Sequence, residues 1–322
     1  MMASFALAHT NLALVKYWGK EDEKLRLPSA PSLSLTLNAF YTKTKLSLSK
    51  ENKFVLDGRE EKGEEAQRVF SFLSSLLSLF RLPSSRFFIE SQNFVPKSAG
   101  FASSASAFCA LAAAFSKEMG LCLSKRELSI ASRLGSGSAA RSVYGGFVLW
   151  REGEGSRESF AVPIEEKPSM PLSVLFLSFG EKKKKISSSE GMKLSKSSPF
   201  FQIWREECRK ACKEAEKAIK DDSFESLGEI SERNACQMHA LTLSCGFSYL
   251  SQLSLRALSL AKELREEGVS CYWSCDAGSN CALLCRKEDL DIVRKRAEKV
   301  FASSVTCFSA GPGNGVEAWS ES

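Results

Sequence analysis

The sequence predicts an α+β protein whose helices pack on mostly antiparallel sheets. Two observations lead there. Residues 33–49, LSLTLNAFYTKTKLSLS, alternate apolar and polar side chains over the length of one long strand or a bent pair. In the second half, SCYWSCDAG (270–278) and CALLC (281–285) are short strand-like runs close enough to pair, and amphipathic helical patterns flank them.

The elements follow in chain order. NLALVKYWGK (11–20) begins as an apolar strand, with Leu12, Leu14 and Lys16 expected on one face and Ala13, Val15 and Tyr17 on the other. It then runs into Trp18, Gly19 and a second cation, Lys20. Lysines at a strand end ordinarily reach for water. After the 33–49 alternation, FFIESQNF (87–94) reads as a strand entering a loop, and ASSASAFCALAAAFSKEMG (102–120) as a helix ended by Gly120. GGFVLW (145–150) returns to strand, and the charged, Pro-containing residues 152–171 mark a boundary. That boundary divides an N-terminal domain, 1–170, from a C-terminal domain, 171–322. The second opens with a buried strand, LSVLFLSF (172–179), followed by a polar loop (180–193) and helical patterns at 199–220, 223–244 and 248–267. The strand pair follows, then a helix at 287–302, and VTCFSAGPGNGVEAW (305–319) supplies a strand and a Gly-rich turn. No internal repeat is present.

Composition bounds the function. Of 322 residues, 43% are hydrophobic and 25% charged, the balance of a soluble globular chain. The longest nearly apolar run, AFCALAAAF (107–115), is too short to span a bilayer, which takes about 20 residues. The N-terminus lacks the pattern of a secretory signal, so a cytoplasmic location is expected. A net charge of +6 suits a polyanionic small substrate, and no RRM, KH or dense Arg/aromatic pattern points to nucleic acid. Eleven cysteines without a C-x-x-C pair read as buried reduced thiols. Cys208/Cys212 fit one helical face, and Cys271/Cys275 and Cys281/Cys285 fit strand faces.

Three polar stretches carry the chemistry. NFVPKSAGFASSASAF (93–108) places Ser103, Ser104 and Ser106 at a helix start behind a loop shaped by Pro96 and Gly100. Free N–H groups, the helix dipole and hydroxyls favour an anion there, although serine at a helix start is also an ordinary cap. It is not a Walker A sequence. RLGSGSAARSVYGG (133–146) combines a Gly/Ser run, which allows close backbone approach, with Arg141, whose fork suits a carboxylate or phosphate. In CDAGSN (275–280), Asp276 ends an apolar strand before a Gly turn, where it is either partly desolvated or an ordinary turn former.

Taken together, NLALVKYWGK, NFVPKSAGFASSASA, GSGSAARSVYGGFVLW and DAGSN resemble the mevalonate diphosphate decarboxylase family of the GHMP kinase superfamily. The likeness runs in order along nearly the whole chain. It implies a GHMP kinase fold with an S5-like N-terminal and a ferredoxin-like C-terminal domain, usually as a homodimer. It further implies ATP- and Mg²⁺-dependent conversion of mevalonate 5-diphosphate to isopentenyl diphosphate. Carried over, the resemblance gives Tyr17 and Lys20 the substrate diphosphate, and Ser136, Gly137, Ser138, Ala139, Ala140 and Arg141 the rest of the substrate, with Ser189 and Met192 beside them. Arg141, steadied by Asn11, takes the carboxylate, while Lys16 and Asp276 meet at the reacting centre near the C3 hydroxyl. Ser91, Asn93, Gly100, Ser103, Ser104 and Ser106 fall on the ATP side, with Ser104 on the metal. The lysine-rich residues 181–190 are expected to close over the ligands. Departures from the family pattern are Lys97–Ser98, Phe101, Ser189, Ser279 and Glu65, the last with Arg68 nearby. The rival readings are a decarboxylase of the monophosphate, a kinase that stops after phosphorylation, and an RNA-binding module.

Overall fold

In β1 (Ala3–Val15) every second residue from Ser4 to Thr10 is buried, whereas from Leu12 onward both faces are covered. This change marks where the strand passes from a part of the sheet covered on one face into the interior between the two halves. The structure, a computed structural model, describes residues 3–94, 103–180 and 185–321. A small hairpin, β2 (Lys20–Asp22) with β3 (Leu27–Pro28), leads to β4 (Ser32–Ser49), which fulfils the long-strand expectation. β4 runs antiparallel to β1, with a register shift between His9 and Asn11. A second hairpin, β5 (Lys53–Leu56) and β6 (Arg59–Glu61), precedes α1 (Glu64–Leu79), β7 (Arg86–Phe94), α2 (Ser103–Glu118) and α3 (Lys125–Gly135). α2 carries alanines on nearly every face and lies in the core with α1 and α3 beneath the sheet. Residues 137–143 form a 3-10 turn ahead of β8 (Phe147–Trp150) and β9 (Ala161–Glu165).

The second half begins with β10 (Leu172–Ser178), buried throughout as expected. α4 (Ser188–Ser195), α5 (Phe201–Lys220), α6 (Phe224–Ser244) and α7 (Gln252–Glu266) follow, then β11 (Cys271–Cys275), β12 (Cys281–Arg286), α8 (Leu290–Phe301) and β13 (Thr306–Ala310). The sheet order is β11-β12-β10-β13, all antiparallel. That order, with helices after the first and third strands, is the split β-α-β path of ferredoxin-like folds. Its faces divide by strand period. Leu172, Val174 and Phe176 join Leu12, Leu14, Leu33 and Leu35 of the first sheet in one core, while Leu175 and Leu177 pack with α7 and α8 in another.

The chain ends on β14 (Glu317–Glu321), which crosses back to pair with β1. The larger sheet is therefore ordered β14-β1-β4-β7-β5-β6, with β8 and β9 branching from the first part of β4. Only β5 and β7 run parallel among these ladders.

Several elements depart from the sequence reading. The 152–171 stretch contains β9, a short edge strand paired with β8. The polar loop at 180–193 contains the start of α4, where Ser187 caps the helix by accepting from the Glu190 N–H. Residues 181–184 of the lysine-rich segment lie outside the described residues, as does Gly100. The strand of NLALVKYWGK stops at Val15, so Lys16 and Tyr17 do not continue its alternation. Among the cysteines, Cys208, Cys212, Cys271, Cys275, Cys281 and Cys285 are buried free thiols, while Cys122 is exposed. Burial pushes the Cys208 thiol up to about 12, which leaves it inert as a nucleophile.

Ending the chain after Val316 would remove β14 and bare the β1 edge, together with the stack of Trp319 on Phe5. The thermal midpoint should fall by at least about 3 °C, the order of shift expected for 1–2 kcal/mol in a chain of this size class. An unchanged midpoint by calorimetry would make β14 a dispensable appendage.

Candidate active site

Lys16 emerges where β1 has ended, and its amino group turns inward instead of toward water. Its side chain is 2% exposed, and Nζ donates to Ala13 O (2.9 Å), Ser274 Oγ (2.8 Å) and Asp276 Oδ1 (2.7 Å). All three ammonium protons thus have acceptors, which is what a buried lysine requires. Asp276 sits in the turn after β11, tightened by the Gly278 N–H bonding to its carbonyl, and its own side chain is 54% exposed. One end of the ion pair is therefore buried and the other opens onto a cleft.

Arg141 is held just as closely. Its Nη1 donates to Ser32 Oγ (2.6 Å) and its Nη2 to Asn11 Oδ1 (3.1 Å), while the guanidinium lies 5.8 Å from the Trp150 ring centre. Asn11 is fixed in turn by donating to Ser138 O and Ser142 Oγ, so Arg141, Asn11 and the 3-10 turn are joined in one hydrogen-bonded chain. Nε of Arg141 has no partner, and no carboxylate among the described residues forms an ion pair with it. Burial pushes the guanidinium down to about 10, which leaves it charged at neutral pH.

Tyr17 packs against Trp150 with its ring tilted, and its hydroxyl is buried without a partner; burial raises its pKa above the ordinary phenol value. Gly137 makes room for that ring, since a Cβ there would stand 2.6 Å from the Tyr17 hydroxyl. Lys20 Nζ bonds Glu23 Oε2 and Ser189 Oγ, both at 2.7 Å.

These groups meet in a cleft of about 520 Å³ between the two halves of the chain. Ser136, Gly137, Ser138, Ser189 and Met192 line it with Lys16, Tyr17, Lys20, Arg141 and Asp276. Ala139 and Ala140 do not: both are fully buried in the core. The reason is the 3-10 turn, whose three-residue period stacks Ser138 with Arg141 and sends the two alanines elsewhere.

A narrower pocket of about 120 Å³ adjoins the cleft, lined by Ser91, Asn93, Ser103, Ser104 and the apolar Phe54, Leu56, Val69, Phe108 and Leu111. Ser104 and Arg68 line both spaces, and Ser104 Oγ lies 3.2 Å from Ser136 Oγ. Ser106 faces the other way, bonded to Thr42 Oγ1 (2.7 Å) inside the core. On α2 the pocket-lining residues fall at i, i+1, i+4, i+5 and i+8, a face that excludes position 106.

The sequence reading missed Arg26 as a site residue and treated Arg68 only as a departure. Arg26 Nε donates to Leu134 O and Arg68 Nη2 to Gly135 O, so the C-terminal carbonyls of α3 aim both guanidiniums at the cleft. Burial and then the charge of Arg26 lower the Arg68 pKa. Ser187 and Ser188, at the start of α4, also line the cleft. The one available signal for Arg26 was a cation in the acidic run EDEKLR, too weak to act on. Among the described lining residues, Lys16, Lys20, Arg26, Arg68 and Arg141 face Asp276 as the only carboxylate, a field built for a polyanion.

Comparison with known proteins agrees along the whole chain. Residues 8–161 match the diphosphomevalonate decarboxylase-like N-terminal domain and residues 174–315 the mevalonate 5-diphosphate decarboxylase C-terminal domain. The diphosphomevalonate decarboxylase of Gibberella zeae is 33% identical over 317 residues, covering 89% of this chain and 81% of its own. The mevalonate diphosphate decarboxylase of Staphylococcus aureus superposes with a TM-score of 0.94 at 37% identity, covering 99% of this chain and 98% of that one. A structure of MDDEF in complex with MVAPP, AMPPCP and magnesium gives 0.92 at 38% identity, covering 99% of both chains. With both halves matched and the cleft lying between them, the chain belongs to the mevalonate diphosphate decarboxylase family.

Proposed function

We propose that this chain catalyses the ATP-dependent decarboxylation of mevalonate 5-diphosphate, releasing isopentenyl diphosphate, ADP, phosphate and carbon dioxide. The observation that carries the reading is the buried Lys16 ammonium on Asp276, beside a second buried cation, Arg141, that lacks a carboxylate partner. The similar chain bound to MVAPP, AMPPCP and magnesium supports the same ligand set here.

The chemistry explains the arrangement. A tertiary alcohol leaves poorly, so the γ-phosphoryl group of ATP is first passed to the C3 oxygen, whose proton goes to Asp276. The C3–O bond then breaks, phosphate departs with the electron pair, and positive charge develops at C3. Loss of carbon dioxide from the adjacent carboxymethyl turns its C–C bonding pair into the new double bond. In this scheme Arg141, steadied by Asn11, holds the carboxylate without protonating it, and Lys16 keeps Asp276 aimed at the hydroxyl. Tyr17, Lys20, Arg26 and Ser189 meet the diphosphate, with Ser136, Gly137, Ser138 and Met192 shaping the site. Positioning and electrostatics supply most of such catalysis.

The narrow apolar pocket beside Ser91, Asn93 and Ser103 suits the nucleoside end of ATP, and its junction with the cleft at Ser104 suits the phosphates between. The Ser104 hydroxyl, where the two spaces meet, is the side chain that would hold Mg²⁺ together with the phosphates. When bound, the ion neutralises phosphate charge. A homodimer in the cytoplasm, without nucleic acid, belongs to the same proposal; no helix among the described residues is long and apolar enough to cross a membrane.

Release of labelled carbon dioxide from mevalonate 5-phosphate and 5-diphosphate, with and without ATP, tests the reading. Only the diphosphate with ATP should release it. Release from the monophosphate alone would identify the sister activity, and ATP consumption without carbon dioxide a kinase. Asp276→Asn keeps an acceptor for Lys16 but no base, so turnover should fall by about 10²–10⁴ with little change in ligand affinity. A few-fold change would remove Asp276 from the chemistry.

Arg141→Lys tests the carboxylate site separately. The fork that spans Ser32 and Asn11 cannot be reproduced by a point cation. The loss should amount to roughly 1.5–3 kcal/mol, the worth of a charge-assisted contact, read as a drop of ten-fold or more in kcat/KM. Near wild-type kcat/KM would make Arg141 a structural residue.

A further inference from the structure

We propose that α6 acts as the jig for the Lys16–Asp276 pair, with Asn234 and His239 as its two positioning residues. The inference rests on the reading of Asp276 given above and concerns what holds that carboxylate in place. Both residues are buried polar groups on one helix, and each satisfies a main-chain group where a strand has just ended. Since β1 stops at Val15, the Lys16 N–H follows the last ladder position; it donates instead to Asn234 Oδ1 at 2.8 Å. β11 stops at Cys275, and the carbonyl of that residue, one peptide before Asp276, lies 3.2 Å from His239 Nε2. Positions 234 and 239 are separated by about 7.5 Å along a helix axis, so a single rigid element spans the two strand ends.

The ring chemistry fixes how His239 works. A carbonyl only accepts, so Nε2 carries the hydrogen and Nδ1 does not. Burial, then the nearby Lys16 ammonium, push the imidazole down to about 4, so it stays neutral and adds no third charge to the pair. Asn234 is anchored from behind by its amide contact with Cys208 Sγ on α5. The Lys16 ammonium closes the frame through Ser274 Oγ on β11. Two bonds from α6 and one from β11 thereby set the backbone and side-chain positions of both charged groups.

A purely structural role would also satisfy these backbone groups, so the test must separate the two. In His239→Gln, the amide Nε2 stands where the ring Nε2 stood; in His239→Asn, the amide nitrogen falls at the Nδ1 position and cannot reach the Cys275 carbonyl. Both substitutes are polar and close in size. We expect kcat to fall by about ten-fold or more for Asn and to stay within about three-fold for Gln, with KM for ATP and mevalonate 5-diphosphate little changed, because sub-ångström misplacement costs rate. When Asp276→Asn is already present, His239→Asn should cost almost nothing further, since it acts through a base that is no longer there. Full multiplication of the two losses, or equal effects of Gln and Asn, would overturn the positioning role. Should Asp276→Asn alone leave turnover unchanged, the base assignment fails instead, and the two failures are told apart on the same set of proteins. Asn234→Ala provides the second arm: it should lower kcat when Asp276 is intact and add little when combined with Asp276→Asn, and multiplicative losses there count equally against the proposal.

Discussion

The three acceptors on the Lys16 ammonium tie together parts of the chain that are otherwise far apart. Ala13 O belongs to the end of β1, whereas Ser274 Oγ and Asp276 Oδ1 belong to β11 and its turn, some 260 residues later. A buried ammonium tolerates little displacement, because any acceptor that withdraws leaves a desolvated proton unpaired. The geometry of the two sheets must therefore satisfy this one group. The next residues extend the same joint: Trp18 donates from its indole to Ser195 on α4, and its carbonyl accepts from the Trp204 indole on α5. The aromatics and lysines of NLALVKYWGK are thus the segment on which the second half of the chain is hung, and they face the cleft because the cleft is the seam.

Much of this was legible in the sequence, for reasons that differ by residue. Long periodic elements such as β4, α5 and α6 declare themselves because burial on one face imposes a regular spacing over many residues. Gly137 and Arg141 stood out because close backbone approach and a planar fork require those residue types. The alternation could not show that β1 ends at Val15, since that end is set by partner strands. Nor could it show that Lys16 is buried, which depends on acceptors from β11. α4 is a short, serine-rich helix that owes its place to contacts such as the meeting of Gly191 with Trp18 and Tyr249, and its sequence reads as loop. Ala139, Ala140 and Ser106 show the converse error. Proximity in a motif says little about direction, and the 3-10 period or the α-helical face decides which neighbours see the ligand.

Two spaces that share Ser104 and Arg68 also explain the charge distribution. The cleft gathers its cations from four separate elements: the end of β1, the β2–β3 hairpin, α1 and the 3-10 turn. No single stretch of sequence is unusually basic there, and a net charge of +6 over the whole chain gave little hint of so uneven a field. The apolar pocket beside it carries Arg68 and Glu65 as its charged lining residues. A ligand that is apolar and flat at one end and polyanionic at the other matches that division, with the hydroxyls of Ser104 and Ser136 at the crossing point.

The buried charges are poor candidates for stabilisers of the fold. Removing an ammonium or guanidinium from water costs several kcal/mol, and ion pairs of this kind are often matched or bettered by apolar residues of similar size. Lys16 recovers part of that cost from one carboxylate that is itself half in solvent. Arg141 recovers less, having two neutral acceptors and an Nε–H with no partner. A chain shaped for stability alone would have no reason to bury either. Their cost is intelligible if the missing compensation arrives with an anionic ligand, because an anion then gains from cations already desolvated and already oriented. That is the condition under which a weakly compensated charge becomes preorganised, and it places the energetic strain of the fold at the seam where the chemistry is done.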